Sequence, residues 1–197
     1  MMEPRVVGVL LAAGRGERFG GDKLLAGMPA GSGIAAGTPV AVAAARALTA
    51  ALPGAVGVVR PSAGDLAAHL RDENVRVLTC PWADDGMGAS LAFGVAGTAD
   101  ADGWVIALAD MPWVAVATIR KVAAAVKAGA GIAVPVRQGV RGHPVGFGAR
   151  FRENLLNLAG DEGARAVLAA HPLDVALIEV PDPNITRDVD TREDLAR

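Results

Sequence analysis

The chain has 197 residues, a formal net charge of −2, 4% aromatic residues and one cysteine. This length predicts a single domain, residues 1–197, that buries roughly 70% of the surface exposed by the unfolded chain. A near-neutral charge without a basic block argues against nucleic-acid binding, and no apolar run reaches the roughly 18 residues that span a membrane. One cysteine excludes an internal disulfide and fits a reducing compartment, so we expect a cytoplasmic protein.

Short apolar runs alternate with alanine-rich stretches along the chain. The runs predict a buried strand at 6–11 and further strands at 55–60, 75–79, 104–109, 131–136, 144–148 and 175–180. The stretches between them predict helices at 38–52, 62–70 and 116–128. This alternation favours an α/β fold, a three-layer α/β/α sandwich built on a mostly parallel, mixed sheet.

Sequence signals also mark the helix ends and one long loop. Thr38, which precedes a proline, predicts the start of the first helix, and Ser62 with Asp65 predicts a capping box at the second. Gly129 is the expected left-handed residue after the third helix. The glycine-rich stretch 27–37 predicts a mobile surface loop that either closes over a ligand or has no role.

The most informative stretch follows the first strand, where the apolar run breaks into glycines and basic residues. Glycines allow positive φ and bring several N–H groups close to an anion. Arg18 can grip phosphate oxygens with two donors, and Lys23 supplies a mobile point charge, so we interpret the loop as a phosphate cradle. The dinucleotide motif G-x-G-x-x-G fails at Phe19, and the P-loop motif fails because Leu24 follows the lysine. A glycine-rich turn with solvated arginines is the alternative interpretation.

Asp110 is the second informative position, because it directly follows the strand predicted at 104–109. Ligands of open α/β sheets bind at the carboxyl ends of the strands. A carboxylate there could hold Mg²⁺, which commonly uses one or two protein carboxylates together with waters and substrate phosphates. The alternative is a cap of the following turn, a common role of aspartate near proline.

Five segments together resemble one family. In chain order they read LLAAGRGERFGGDKLL, LADMPWV, RGHPVGF, GDEGARAVL and DVDTREDL. They resemble the MobA/MocA-like nucleotidyltransferases, which attach a nucleotide to the molybdenum cofactor. The resemblance implies a nucleotide-diphospho-sugar-transferase-like, Rossmann-type fold. It also implies that the terminal phosphate of molybdopterin attacks the α-phosphorus of a nucleoside triphosphate, with Mg²⁺ as cofactor and pyrophosphate as the leaving group.

The resemblance implies roles for individual residues. The base and ribose would contact Leu11, Ala12, Ala13 and Gly14. The triphosphate would contact Gly16, Arg18 and Lys23, and the catalytic residues would be Lys23, Arg18 and Asp110. The nucleotide would also contact Gly86 and Ser90, and Mg²⁺ would be held by Asp110 and Asp190. The acceptor would lie against His143, Pro144 and Arg165.

Some of these roles have simpler alternatives. Asp190 could be the N-cap of a final helix. Arg165 could pair with Asp161 four residues earlier on one helix. His143 could be a turn residue with a solvated ring, and Ser90 could belong to an ordinary helix start.

The resemblance favours CTP over GTP. Ala13 and the four residues between Arg18 and Lys23 match the pattern of the cytidylyltransferases. The segment GDEGAR favours CTP as well. The chain departs from the usual family pattern at Phe19, Ala115 and Arg192 and in its long loop at 27–37.

Other functions remain open at this stage. A guanylyltransferase would use GTP on the same cofactor, and a related transferase would use another phosphorylated acceptor. A non-catalytic carrier or chaperone would deliver the molybdenum cofactor to a molybdoenzyme, which is also a possible partner of the transferase. An NAD(P)H-dependent oxidoreductase is the last alternative.

Overall fold

The computed structural model describes residues 4–14, 16, 19–161 and 163–196. Its strands are β1 (Val6–Leu11), β2 (Val56–Val59), β3 (Arg76–Thr79), β4 (Gly103–Leu108), β5 (Ile132–Arg137), β6 (Val140–Arg141), β7 (Val145–Gly148) and β8 (Val175–Glu179). Its α-helices are α1 (Val40–Ala51), α2 (Gly64–Asp72), α3 (Met87–Ala96), α4 (Val116–Lys127), α5 (Arg152–Leu156), α6 (Arg165–Ala170) and α7 (Arg192–Leu195). None of the helices in these ranges is both long and apolar enough to cross a membrane.

The strands form one mixed sheet. Its order is β3-β2-β1-β4-β7-β5, with β6 continuing the antiparallel pairing on β5 and β8 pairing with β5 in parallel. Strands β3, β2, β1 and β4 are parallel neighbours, whereas β7 lies antiparallel between β4 and β5. Leu11 at the end of β1 is in register with Leu108 at the end of β4. The segments that follow β1 and β4 therefore leave the sheet side by side.

Helices cover both faces of the sheet, as the alternation of elements predicts. One apolar core packs α1, α2 and α4 against one face, and a second packs α3, α5 and α6 against the other. Trp104 and Phe147 are fully buried in the second core. The three-layer sandwich on a mostly parallel, mixed sheet is confirmed.

The predicted helix starts are less accurate than the strands. Helix α1 has Pro39 as its N-cap and α2 has Ala63, and neither receives a side-chain cap, so the predicted caps from Thr38 and Ser62 are wrong. The Thr38 carbonyl instead accepts a hydrogen bond from the Met28 N–H, across the base of the preceding loop at 27–37. Gly129 does adopt the expected left-handed conformation after α4, with a φ of 99°.

Several hydrogen bonds join the glycine-rich loop at 27–37 to itself and to the protein body, and its mobility stays a prediction. The Met28 N–H donates to the Thr38 carbonyl at 2.8 Å, and the Gly37 N–H donates back to the Met28 carbonyl at 2.8 Å. Met28 is buried, and the Trp113 indole donates to the Ser32 carbonyl at 3.1 Å. The loop therefore has anchors within the protein itself.

Candidate functional site

A cleft of about 650 Å³ opens where β1 and β4 end. Most of the predicted nucleotide, triphosphate and metal residues line it, namely Leu11, Ala13, Gly14, Gly16, Lys23, Gly86, Ser90, Asp110 and Asp190. Ala12 does not, because its side chain is buried in the core between β1 and the helices. Arg18 lies outside the described residues. The site thus forms at the carboxyl ends of adjacent parallel strands, as in other open α/β sheets.

Phe19 anchors the loop that follows β1 and contains Gly14 and Gly16, called the glycine loop below. Its ring is buried with Met28, Val40 and Val189, and its N–H donates to the Gly16 carbonyl at 3.0 Å. Gly16 has a φ of 62°, which favours glycine. Phe19 is thus an anchor of the loop.

Phe19 and Arg192, two of the residues that depart from the usual family pattern, contact each other. The Arg192 guanidinium lies 5.1 Å from the centre of the Phe19 ring, within the range of a cation–π interaction. The two unusual residues therefore join the loop to helix α7.

Lys23 lies between two carboxylates in the cleft. It opens a short 3₁₀ turn that Asp22 caps, since the Asp22 side chain accepts from the N–H of the second residue, Leu24, at 3.2 Å. The Lys23 Nζ donates to Asp110 Oδ2 at 2.8 Å and to Asp190 Oδ1 at 3.1 Å. Burial alone would lower the pKa of Lys23, but the hydrogen bonds and charges of Asp110 and Asp190 outweigh it and raise that pKa. The ammonium therefore stays charged.

Three carboxylates converge on this point. One oxygen from each of Asp110, Asp188 and Asp190 lies within 4.8 Å of the others. Asp110 Oδ1 is buried and has no hydrogen-bond partner in the described part of the chain. Asp188 is exposed as a whole, but partial desolvation of its carboxylate raises its pKa, and the negative charges of Asp190 and Asp110 add to that rise. A cluster of carboxylate oxygens with an unpartnered buried oxygen fits the ligand preference of a hard divalent cation.

The sequence analysis missed Asp188, although its spacing offered a signal. In extended chain, residues two apart point to the same side. Val189, between the two aspartates, is fully buried, and its N–H donates to the Asp110 carbonyl at 2.9 Å. Burying Val189 turns both flanking carboxylates toward the end of β4.

The N-cap of α7 is Thr191 and not Asp190. Thr191 caps α7 in a capping box, and the Asp194 carboxylate accepts from the Thr191 N–H at 2.8 Å and from the Asp190 N–H at 3.1 Å. Asp190 is therefore not the N-cap, and its carboxylate faces Lys23.

The start of α3 forms the wall of the cleft opposite the carboxylates. Gly86 has a φ of 107°, and the Gly88 N–H donates to the Gly160 carbonyl at 2.8 Å. A Cβ on Gly86 would lie 2.4 Å from Gly160 backbone atoms, so only glycine allows this approach. Ser90 is buried one turn into the helix and lines the cleft.

A second cavity of about 570 Å³ adjoins the first and shares Met87, Leu108 and Asp161 with it. His143, Arg165 and Arg141 line it, whereas the buried Pro144 lies behind it. Arg141 was not among the residues that the sequence suggested.

Two simpler interpretations fail in this cavity. Helix α6 begins at Arg165, and no Asp161–Arg165 ion pair forms among the described residues, so the pairing on one helix is wrong. The His143 ring is largely buried rather than solvated, and its Nδ1 has no partner within the described ranges. Burial lowers the pKa of His143, and the nearby Asp110 charge offsets this only in part. The ring is therefore neutral near pH 7.

Comparison with known proteins agrees with this geometry. Residues 8–175 match the family described as MobA-like NTP transferase domain. The chain is 32% identical to nicotine blue oxidoreductase of Paenarthrobacter nicotinovorans and 31% identical to the purine catabolism protein PucB of Bacillus subtilis, in each case over 98% of this chain and 96% of the relative.

Solved structures resemble the chain over the same extent. Rv0371c of Mycobacterium tuberculosis has a TM-score of 0.85 at 28% identity, covering 100% of this chain and 98% of its own. A second structure of that protein, a complex with manganese, has a TM-score of 0.80 at 27% identity over 98% and 97% of the two chains. With its sheet, its glycine loop and its matched length, this chain belongs to the MobA-like family of nucleotidyltransferases.

Proposed function

We propose that this protein transfers CMP from CTP to the terminal phosphate of molybdopterin, with Mg²⁺ as cofactor and release of pyrophosphate. The observation that carries the proposal is the meeting of Lys23 with Asp110, Asp188 and Asp190 beside the glycine loop. A lysine and a carboxylate cluster at the ends of adjacent strands supply what triphosphate binding requires, a cation for the phosphates and oxygen ligands for a metal.

The reaction needs no nucleophile from the protein. An oxygen of the acceptor phosphate attacks the α-phosphorus, and the bond from that phosphorus to the β-phosphate oxygen breaks. Transfers of this kind depend mainly on alignment of the reactants and on neutralisation of charge. Gly16, Arg18 and Lys23 would bind the triphosphate, and Lys23 would neutralise charge on the departing pyrophosphate.

The carboxylates would hold the metal ion. Asp110 and Asp190 are the proposed ligands, and Asp188 extends the set because its oxygen lies within the same cluster. A bound Mg²⁺ would neutralise phosphate charge and fix the orientation of the triphosphate. The related Rv0371c forms a complex with manganese, which supports a divalent ion as a ligand of this protein.

The remaining nucleotide contacts follow the cleft walls. Leu11, Ala13 and Gly14 would contact the base and ribose from the β1 side, with Ala12 contributing only backbone. Gly86 and Ser90 would contact the nucleotide from the side of α3. The preference for CTP rests on the sequence pattern around Ala13 and the GDEGAR segment.

We assign the acceptor to the second cavity, which adjoins the first. Apolar side chains such as Val134 and Val145 form part of its wall, and the exposed Arg141 and Arg165 line it as well. An acceptor with a flat organic body and a phosphate group suits this mixture of apolar surface and cations. His143 would contact the acceptor through its ring, and Pro144 would support that ring from behind.

Thermal unfolding with CTP, GTP, ATP or NADPH, each with and without Mg²⁺, tests the proposal. At a hundred times its Kd, a ligand of the folded state adds about 2.7 kcal/mol, which raises the melting temperature of a chain this size by roughly 5–10 °C. We expect the largest rise with CTP and Mg²⁺, and loss of its Mg²⁺-dependent part in Asp110→Ala. Asp85→Ala is the matched control, because Asp85 is exposed on the same rim but does not line the cleft.

Turnover is measured as pyrophosphate release from CTP in the presence of molybdopterin. Release that requires GTP, or a different phosphorylated acceptor, would replace the proposed substrates within the same reaction class. Binding of molybdopterin without any triphosphate effect would make the protein a cofactor carrier for a molybdoenzyme.

A redox function is the second candidate, because one relative that is 32% identical bears the name nicotine blue oxidoreductase. It predicts stabilisation by NADPH rather than by CTP, and an activity that survives in Asp110→Ala. The absence of NADPH stabilisation would remove it.

A further inference from the structure

Lys23 already occupies a cation position in the cleft. Its Nζ contacts one oxygen of Asp110 and one of Asp190, and its side chain is only 12% exposed. Among the described residues that line the cleft, Lys23 is the one cation beside five carboxylates. The ammonium therefore binds to side chains that a divalent ion would use.

The carboxylate cluster needs a positive charge when it holds no ligand. One oxygen from each of Asp110, Asp188 and Asp190 lies within 4.8 Å of the others, and like charges this close repel. The Lys23 ammonium contacts Asp110 at 2.8 Å and Asp190 at 3.1 Å and so opposes this repulsion. Hydrogen bonds to the ammonium thus stabilise the cluster in the protein as it stands.

We propose that Lys23 is the resident cation of the ligand-free cleft and competes with a divalent metal ion for Asp110 and Asp190. This inference rests on the proposed function, since it assumes that the metal and a triphosphate bind in this cleft. A metal ion among these oxygens would bring a double positive charge close to the ammonium, and the two repel. The ammonium must then leave, or the metal binds more weakly.

Phosphate oxygens at the glycine loop would offer the Lys23 ammonium a second binding position. Gly16 lies over the lysine stem, and a Cβ at Gly16 would be 3.1 Å from Lys23 Cγ. The lysine stem is long and flexible, so its ammonium can turn from the carboxylates to phosphate oxygens held by the loop. Triphosphate binding would then release the carboxylates, and metal and nucleotide would assist each other's binding through Lys23.

The sign of one measurement separates this role from its opposite. If Lys23 competes with the ion, its removal tightens metal binding in the absence of nucleotide. If Lys23 instead holds Asp110 and Asp190 in place for the ion, its removal weakens metal binding. A purely structural lysine would leave metal affinity unchanged.

The experiment is a titration of the nucleotide-free protein with Mn²⁺, in which electron paramagnetic resonance measures the free ion. We expect Lys23→Met to bind Mn²⁺ about tenfold more tightly than the natural protein, within the range of coupled sites. Lys23→Arg keeps a positive charge beside the carboxylates. It should therefore still compete with the ion and bind Mn²⁺ within about threefold of the natural protein. Lys121→Met is the matched control, because Lys121 donates to the Glu179 carbonyl from α4 and lines neither cavity.

Addition of an uncleavable CTP analogue completes the test. It should strengthen Mn²⁺ binding more in the natural protein than in Lys23→Met, because only the former has a lysine to draw away. Lys23→Gln, which keeps a hydrogen-bond donor without the charge, replaces Lys23→Met if that variant does not fold.

Equal or weaker Mn²⁺ binding by the uncharged variants overturns the inference and leaves the proposed function standing. A natural protein and variants that all fail to bind Mn²⁺ overturn the inference together with the metal part of the proposed function. Loss of CTP stabilisation together with tighter Mn²⁺ binding in Lys23→Met is the result expected if Lys23 both binds the triphosphate and competes with the ion.

Discussion

The contact between α3 and the 159–161 segment can be broken by one methyl group. A Cβ added to Gly88 would lie 2.7 Å from the Ala159 carbonyl oxygen and 2.9 Å from its nitrogen. These atoms belong to backbone, so no side chain can rotate away, and the segment must retreat by about 0.7 Å to reach the 3.4 Å of ordinary contact. The Gly88 N–H also donates to Gly160 across this contact.

The expected effect of Gly88→Ala is a net loss of stability. Overpacking of this kind costs about 1–3 kcal/mol, whereas replacing glycine by alanine inside a helix returns about 0.5–1 kcal/mol. The free energy of unfolding should therefore fall by about 1–2 kcal/mol, which lowers the melting temperature by roughly 2–8 °C. Stabilisation by CTP should fall too, because the displaced helix start forms a wall of the cleft.

Gly64→Ala is the matched control. Gly64 is the first residue of α2, and an added Cβ would meet nothing within 4 Å. Its substitution should leave stability unchanged or raise it by up to about 1 kcal/mol. Thermal and urea unfolding measure both variants, and a Gly88→Ala protein as stable as Gly64→Ala would refute the reasoning from close backbone approach.

Two further predictions concern side chains away from the cleft. The buried Asp182 accepts from Ala115 N at 2.8 Å and from Thr118 Oγ1 at 2.9 Å, so Asp182→Ala should cost about 2–3 kcal/mol in urea unfolding by leaving these donors unpaired. An undiminished unfolding midpoint would contradict this. The hydrogen bond from Arg46 lowers the pKa of Glu73, so this pair stabilises the fold above the unfolded pKa of roughly 4.3 and loses its effect as pH falls through the folded pKa. Glu73→Gln should therefore cost about 0.5 kcal/mol at pH 7 and nothing in acid, and a pH-independent difference in stability would count against the pair.

The main strands could be predicted from sequence because each is a short apolar run. Strands β1 and β2 are buried throughout, whereas β3 and β8 have no buried residue. Strand β6 was missed because it has two exposed residues, Val140 and Arg141, and forms only by pairing with β5. The turn between β5 and β6 did carry a sequence signal in Gly139. Gln138 and Gly139 both have positive φ, as in a tight hairpin.

The helix caps show where local patterns fail. Ala115 offers no capping side chain, and the sequence around it gives no substitute. Asp182 supplies the missing acceptor from a segment 67 residues later in the chain. No pattern local to α4 could have identified it.

In the candidate site, too, some positions could be predicted from local sequence and others depend on distant contacts. Lys23 and Asp110 could be predicted to meet because they follow strands that belong to one parallel sheet. Asp188 could not be assigned, since its place depends on a backbone hydrogen bond between Val189 and Asp110. The sequence shows only that Asp188 and Asp190 are two residues apart.

The same buried residue links the two halves of the cleft. Val189 holds the carboxylates of residues 188 and 190 at the end of β4, and it packs with Phe19, the anchor of the glycine loop. A shift of the loop toward a phosphate therefore acts on the packing that positions the carboxylates. The proposed coupling between triphosphate and metal would then have two routes, the ammonium of Lys23 and the contact of Phe19 with Val189, and only the first would disappear in Lys23→Met.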